Sequence, residues 1–330
     1  ACMAGHTEVY DVVAAAMRLA GSWEEDAVDG ISPAATKYAQ QQQPLAGSKC
    51  FMWNLMWTWS VKVPVPYGEL MVWQKVNHFP DARQLTRKDL LKRHLARHHK
   101  IHKGTRGAAV FNIMPPTFNL PKEYSSWVEA FGRGVVESTD EGGNLWIIKP
   151  VGSSRGRGIS LAARIDDIVH GEHVVVQKYL SRPLLIDGYK FDMRLYVLVT
   201  SFNPLEAWLY KEGFARFASE KYTTDDTSLS NLYVHLTNSS IQKQKPGGDM
   251  GLPARLVGGG TTSLPYGGSK CSLTHMWELL QEQGIDKDAV WSRITEHVLA
   301  ALHAVQSSIP HNSNSFELYG FDVLITRSKK

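Results

Sequence analysis

"WIIKPVGSSRGRGISL", residues 146–161, ends a short apolar run on a lysine, continues through a loop of Gly, Ser and Arg, and returns to apolar residues. Trp146, Ile147 and Ile148 are predicted to form a buried strand that delivers Lys149 to its edge. Gly152, Gly156 and Gly158 let the backbone bend and approach a ligand closely, while Arg155 and Arg157 add positive charge. By itself the stretch fits two readings: a loop that holds phosphate, or a glycine-rich hairpin with two solvated arginines. It is not a Walker A loop, because no Gly-Lys-Ser/Thr follows, and it lacks the Gly-x-Gly-x-x-Gly spacing of a dinucleotide fingerprint.

A second stretch, "KFDMRLYVLVT" (190–200), alternates strictly. Phe191, Met193, Leu195, Val197 and Val199 share one face of a strand and are predicted to be core. Lys190, Asp192 and Arg194 then share the other face. A solvated edge would account for them, and such exposed pairs contribute under about 1 kcal/mol. A cleft wall that meets a phosphate-bearing ligand and its metal accounts for them as well. Joined to Lys149 and the glycine loop, the cleft is the better reading.

Working outward, residues 8–20 place Val9, Val12, Val13, Ala16, Met17 and Ala20 at helical spacing, with Thr7 available as N-cap. Tyr38–Pro44 is Gln-rich and reads as a loop. Residues 51–63 alternate, with Phe51, Trp53, Leu55, Trp57, Trp59, Val61 and Val63 on one face, which predicts a strand with that face inward. Residues 87–106 carry eight Lys/Arg against one Asp, net +7 with four histidines left aside, and Leu90, Leu91, Leu95 and Ile101 offer a narrow helical seam. His94, His98 and His102 lie at i, i+4 and i+8, but the surrounding cations repel a metal, so a basic face that meets an acidic partner is the stronger reading. Short β-type runs recur from 145 to 218, the 247–268 tract is Gly-rich, Val290–Val305 returns to helical spacing, and "FELYGFDVLIT" reads as a final strand. The whole predicts an α+β or mixed α/β architecture.

Composition bounds the function. At 330 residues, 43% apolar and 21% charged, the chain is long enough for two or three packed subdomains, and its net charge of +4 leaves acidic partners to local clusters. Cys2, Cys50 and Cys271 are scattered, which argues for a reducing compartment and against a disulfide framework or structural zinc. No stretch approaches the roughly 18 apolar residues of a membrane span, residues 1–20 do not read as a secretory signal, and the absence of Met at position 1 suits a fragment or a processed form. No Gly-x-Ser-x-Gly elbow or His-Glu-x-x-His motif is present. Phosphoryl chemistry needs neither, because positioning and cations can carry it.

The motifs "WIIKPVGSSRGRGISL", "VVQKYLSRPLLIDGYKFDMRLYVLVTSFNPLEAWLYKEGFARFAS", "YVHLTN" and "FELYGFDVLI", in that order, strongly resemble the tubulin tyrosine ligase-like family. "KVNHFPDARQLTRKDLL" with "PPTFNLPKEY" resembles its polyglutamylase branch. The resemblance runs from about residue 70 to 326 and is weakest over 245–290. It implies an ATP-grasp fold with ATP between two sheets. The implied organisation is a loosely family-like N-terminal domain over 1–70, a central subdomain over 71–185 and a C-terminal subdomain over 186–330. The implied activity is an ATP-dependent ligase in which an acceptor carboxylate attacks the γ-phosphate and an amino acid's amine displaces phosphate from the acyl-phosphate. The acceptors would be acidic tails of tubulin or microtubules, with glutamate as co-substrate. Alternatives on the same scaffold are glycylation or another amino-acid ligation, or a catalytically dead ATP- or microtubule-binding module. A monomer in the cytoplasm, on the cytoskeleton or at a cilium or basal body, is implied. Nucleic acid fits poorly, since the basic segment lacks stacking aromatics.

The resemblance also assigns residues. Lys149 matches the strand lysine on ATP's phosphates, Lys88 a second phosphate lysine, and Arg155 and Gly156 belong to the loop that closes over the phosphates. Gln177, Lys178, Tyr179 and Leu180 match the hinge along which adenine lies, largely through backbone groups. Lys190 and Asp192 resemble further nucleotide contacts. Arg194 resembles the arginine that stabilises transferring phosphate, and Arg216 the one that receives the amino acid's carboxylate, tasks suited to a bidentate guanidinium. Thr237 and Asn238 match a motif near the γ-phosphate and acceptor, and Asp322 resembles a magnesium ligand. The family continues after this strand into Leu-Glu-Val-Asn, whose Glu and Asn complete the Mg2+ site. This chain reads "YGFDVLITRSKK" to Lys330, so weak Mg-ATP binding without ligation is the expectation for the 330 residues alone.

Overall fold

The computed structural model describes residues 7–21, 53–58, 66–137, 143–153, 156–168, 171–245, 252–257 and 268–327. In chain order, the main elements begin with helix α1 (Thr7–Leu19), strands β1 (Leu55–Met56) and β2 (Lys75–Val76), helix α2 (Lys88–Ile101), strand β3 (Thr117–Asn119) and helix α3 (Tyr124–Glu137). Strands β4 (Trp146–Pro150), β5 (Ser160–Ala162), β6 (Val174–Lys178), β7 (Leu185–Ile186), β8 (Tyr189–Phe202), β9 (Leu205–Lys221) and β10 (Lys270–Ser272) follow. Helices α4 (Leu273–Glu282) and α5 (Lys287–Gln306) and strand β11 (Glu317–Val323) complete the order. This is a mixed α/β chain whose larger sheets are built on antiparallel pairs.

Two compact units divide it, and neither is continuous in sequence. The first takes Ala1–Ala82, Val199–Ala207 and Ile309–Leu318. In it β1 pairs parallel with β2, and Val76 bridges to Ser315. The Asn77 amide accepts from the Thr58 N–H (2.8 Å) and donates to the Thr58 carbonyl (3.0 Å), closing the end of this short pair. Glu317 accepts from the Phe79 N–H (3.0 Å) and faces His78 Nδ1 (3.1 Å). Of the 51–63 run only 53–58 is described, and there the fully covered residue is not one of the expected face. Met56 pairs with the fully buried Val76 and is itself buried, whereas Trp53, Leu55 and Trp57 are only partly covered. Period two defines two faces without saying which is inward, and here the partner strand decides. Phe51, Trp59, Val61 and Val63 lie outside the described residues, as do Tyr38–Pro44 and most of the 247–268 tract. Helix α1 begins at Thr7 instead of being capped by it, and Val12, placed in its apolar stripe, is 67% exposed.

The second unit takes Arg83–Leu198, Trp208–Ser308 and Tyr319–Lys330. Its four-stranded sheet has the order β3-β6-β4-β5. Register sets Trp146 opposite Lys178, Ile147 opposite Gln177, and Lys149 opposite Val175. Trp146, Ile148, Val174 and Val176 therefore share one face, and they pack with Trp127 and Phe131 of α3 into a core. Lys149 and Gln177 share the other. In the five-stranded sheet, β10-β9-β8-β11 run side by side and β7 adds to β8. Phe191, Met193, Leu195, Val197 and Val199 are at most 1% exposed, as their alternation predicts. The spacing in α5 is also met, with Ile294, Val298, Ala301, Leu302 and Val305 buried. Helix α2 packs against α5 and buries Leu95, while Ile101 stays exposed. His98 and His102 face the Phe111 ring, with centroids at 4.9 and 5.5 Å, so the histidine ladder takes part in aromatic packing.

The buried indole N–H of Trp127 has no hydrogen-bond partner among the described residues, so its worth lies in packing. Trp127→Ala should cost about 3–5 kcal/mol in denaturant unfolding. Trp127→Phe, which keeps one ring and leaves a smaller cavity, should cost less than the alanine variant. An equal loss in both variants would mean that the N–H is satisfied in solution.

Candidate active site

Alternation along three strands converges on one cleft of about 1200 Å³. Strand β8 turns Lys190, Asp192 and Arg194 into it, β9 supplies Arg216, and β11 supplies Asp322. From the four-stranded sheet come Lys149 and Gln177, and from the start of α2 comes Lys88. The glycine loop contributes Gly152, Ser153, Gly156 and Arg157, and the segment after His235 contributes Thr237, Asn238 and Lys243. Gly156 has φ +78°, and a Cβ there would sit 3.1 Å from Asn238 Oδ1, so the loop can lie against that segment only as glycine.

The lysines are held by neutral acceptors. Lys149 Nζ donates to Gln177 Oε1 (2.6 Å), and Gln177 Nε2 donates to Thr117 Oγ1 (2.8 Å). Lys88 Nζ donates to the Ser153 carbonyl (2.8 Å). Lys190 Nζ donates to the Tyr179 hydroxyl (2.9 Å) and the His235 carbonyl (2.8 Å). Burial, then the neighbouring Lys88, pushes Lys149 down to about 8. Burial pushes Lys190 down to about 7, with Asp192 opposing the shift and Lys149 adding to it. Burial also lowers Lys88. Three desolvated cations around one opening make a site that gains by admitting an anion.

The arginines are held by carboxylates. Arg216 Nε donates to Asp192 Oδ1 (2.8 Å) and its Nη2 to Asp192 Oδ2 (2.5 Å). Asp322 Oδ1 takes Arg194 Nη1 (2.6 Å) and Arg216 Nη2 (2.9 Å). Thr237 hydrogen-bonds Asp192 from the other side. Gly320 makes this possible, since a Cβ there would lie 2.5 Å from Arg194 Cζ. Among the described residues no group of three His, Cys, Asp or Glu converges on a point.

Thus Lys88, Lys149, Gly156, Gln177, Lys178, Tyr179, Leu180, Lys190, Asp192, Arg194, Arg216, Thr237, Asn238 and Asp322 all line one opening. Arg155 lies outside the described residues. Lys178 presents only its backbone, because its side chain turns to the core face, donates to Asn144 Oδ1 (2.7 Å) and stands over the Trp146 ring (5.4 Å). The N–H groups of Lys178 and Tyr179 donate to the carbonyls of Pro116 (2.8 Å) and Leu145 (3.0 Å). The Tyr179 hydroxyl accepts from Lys190 Nζ and pairs with His235 Nδ1 (3.0 Å). Sequence reasoning did not single out His235, Lys243 or Gly320. His235 stands inside "HLTN", and Gly320 inside "YGFD", but the reason for each is a contact from another strand.

Two predictions follow from this electrostatics and packing. An entering polyphosphate raises Lys149 and Lys190 from about 8 and about 7, so binding takes up protons and affinity should fall as pH climbs from 7 to 9. Calorimetry with tripolyphosphate should then show an enthalpy that varies with the buffer's ionisation enthalpy. An enthalpy independent of buffer would remove these lysines from the site. Gly320→Ala should push the Arg194 guanidinium off Asp322 at little cost in stability, because the clashing atoms are the far end of a flexible, part-exposed side chain. A large fall in the unfolding midpoint would show that the guanidinium is held in place.

Residues 68–330 match the model of the tubulin-tyrosine ligase family. "Tubulin polyglutamylase TTLL5" of Mus musculus is 40% identical over 286 residues, covering 84% of this chain and 20% of its own. "Probable tubulin polyglutamylase TTLL2" of Homo sapiens is 37% identical over 279 residues, covering 84% and 44%. "Probable alpha-tubulin polyglutamylase Ttll1" of Tetrahymena thermophila is 33% identical over 315 residues, covering 84% and 70%. The chain spans about a fifth of the TTLL5 relative and under half of the TTLL2 relative. With the ordered motifs, the lysine-lined cleft and a family match over most of its length, this chain belongs to the tubulin-tyrosine ligase family.

Proposed function

We propose that the chain is the catalytic region of an ATP-dependent ligase that adds glutamate to carboxylates of acidic tubulin tails. The observation that carries the reading is the cleft's division of labour: lysines on neutral acceptors along one part, arginines on carboxylates along the other. The relatives' names favour polyglutamylation over the other ligations of the same scaffold.

ATP fits the donor set. When bound, it would supply the phosphate that activates an acceptor carboxylate. Lys88, Lys149 and Lys190 would hold its phosphates, and the Gln177–Leu180 segment would run beside the base. Asp322 is the carboxylate for magnesium, since its Oδ2 makes none of the arginine bonds described above. Arg216 spends Nε and Nη2 on aspartates and keeps Nη1 for the incoming amino acid's carboxylate. Arg194, oriented by Asp322, would stabilise charge that develops on the transferring group. No protein nucleophile is needed, because the acceptor carboxylate is one.

Helix α2 supplies an attraction for acidic tails. Arg93, Arg97 and Lys100 are exposed on it, whereas Lys92 is committed to Glu123 (2.5 and 2.6 Å). The attraction should be screened by salt.

In a longer form that carries the Glu and Asn expected of the family after the last strand, Mg-ATP, glutamate and tubulin should give tail peptides with glutamate-sized steps by mass spectrometry, whereas the 330 residues alone should not ligate. Glycine-sized steps would overturn the glutamate assignment, and no step with any amino acid would favour a binding module. Lys149→Ala should weaken ATP by about tenfold or more, through loss of a charge-assisted contact. Arg216→Ala should abolish ligation and leave ATP affinity within about threefold, a smaller effect than one hydrogen bond to a charged group. Equal weakening of ATP by both variants would refute the division of labour.

A further inference from the structure

Lys190 is buried, yet only two of its three ammonium hydrogens have an acceptor described above: the Tyr179 hydroxyl at 2.9 Å and the His235 carbonyl at 2.8 Å. Its Nζ stands over the rings of Tyr179 (4.6 Å) and Tyr222 (5.7 Å), which close it in from the protein side. His235 is itself 1% exposed and meets both tyrosine rings edge-on. The Nε2 of His235 faces the Ser228 carbonyl (3.1 Å), which can only accept, so Nε2 carries the proton. Its Nδ1 is therefore bare and accepts from the Tyr179 hydroxyl at 3.0 Å. With its proton directed to the imidazole, the Tyr179 oxygen offers its lone pairs to Lys190. The Tyr222 hydroxyl gives its proton to the Ser181 carbonyl (2.8 Å) and has none to donate to Tyr179. Burial and the Lys190 charge push His235 down to about 4, consistent with a neutral ring.

We infer that His235 is a positioning residue for Lys190: its carbonyl directly, and its imidazole through Tyr179, fix the ammonium so that one N–H is left for a ligand in the cleft. The inference rests on reading the cleft as a nucleotide site. It assigns Tyr179 to the lysine, beyond any backbone role beside a base, and it gives a task to a histidine that touches no substrate.

The bland alternative is that His235 merely ties two segments together through Ser228. Two substitutions separate these roles. In His235→Gln the side-chain amide can reach the Ser228 carbonyl but offers Tyr179 no acceptor in the Nδ1 position. In His235→Asn the amide oxygen can take the place of Nδ1, and the Ser228 bond is lost. MgATP affinity by calorimetry should fall about tenfold in His235→Gln and in Tyr179→Phe, the worth of roughly one hydrogen bond to a charged group. The two losses should not add in the double variant. His235→Asn should lose less than about threefold in affinity while losing more in melting temperature. Affinity that follows melting temperature across Gln and Asn would overturn the inference. A second readout needs no ligand: the Cε resonance of Lys190, titrated in chain labelled with 13C-lysine and assigned by its loss in Lys190→Met. Its midpoint should shift in His235→Gln and Tyr179→Phe, against the same surrounding Asp192, Lys149 and Tyr222. An unmoved midpoint would overturn the inference too. If the wild-type chain does not bind MgATP, the nucleotide reading fails by itself and the Lys190 titration decides this one.

Discussion

The cleft depends on keeping ammonium groups out of water without neutralising them. Desolvating a lysine is costly, and placing Lys149 and Lys190 in each other's field adds to the cost. Carboxylates would be the usual remedy, but a carboxylate on each lysine would satisfy the charge and close the site to anions. The structure uses neutral acceptors instead: the Gln177 amide, the Tyr179 hydroxyl, and the carbonyls of Ser153 and His235. These satisfy hydrogens without supplying a counter-charge, so an entering anion has no carboxylate to displace from the lysines. The fold bears the desolvation cost of these cations, and an anionic ligand such as the phosphate proposed above would offset it.

The arginines are arranged on the opposite principle. A guanidinium has five donors in a rigid plane, so part of it can be committed to orientation and part kept for a ligand. Asp192 and Asp322 take Nε and Nη2 of Arg216 and fix its plane, and Asp322 also fixes Arg194. Orientation by carboxylates suits groups that must aim, while neutral acceptors suit groups that must attract. The two arrangements sit on the same strand face, two residues apart at Lys190 and Asp192.

Much of this was legible before the structure because strands read with period two. The alternation of 190–200 yields both a core face, buried at every predicted position, and the three cleft charges. The same reasoning over 51–63 passes over Met56, the buried residue among 53–58, since alternation does not announce which side the partner strand will cover. Lys178 obeys the same period: a lysine beside Gln177 must point its side chain the other way, and it does, onto Trp146. Gly320 and His235 were readable only as letters of motifs. The need for a missing Cβ at 320 arises from Arg194 on β8, and the need for an imidazole at 235 arises from Lys190 and Tyr179, all remote in sequence.

Fold and site are inseparable for a further reason, which is register. A slip of one residue in β8 would send Asp192 and Arg194 into the core and bring Met193 into the cleft. Hydrophobic burial already opposes this, because five apolar side chains would be exposed at once. Gly213 opposes it independently. A Cβ at 213 would lie 2.3 Å from the Arg194 carbonyl oxygen, a distance no side chain can occupy, so β9 can approach β8 there only with glycine in place. Shifting β9 by one residue would put Glu212 or Phe214 at that contact. The glycine therefore fixes Arg216 relative to Arg194 through the backbone, and the bidentate pair with Asp192 then completes a geometry whose main alternative has been removed by sterics.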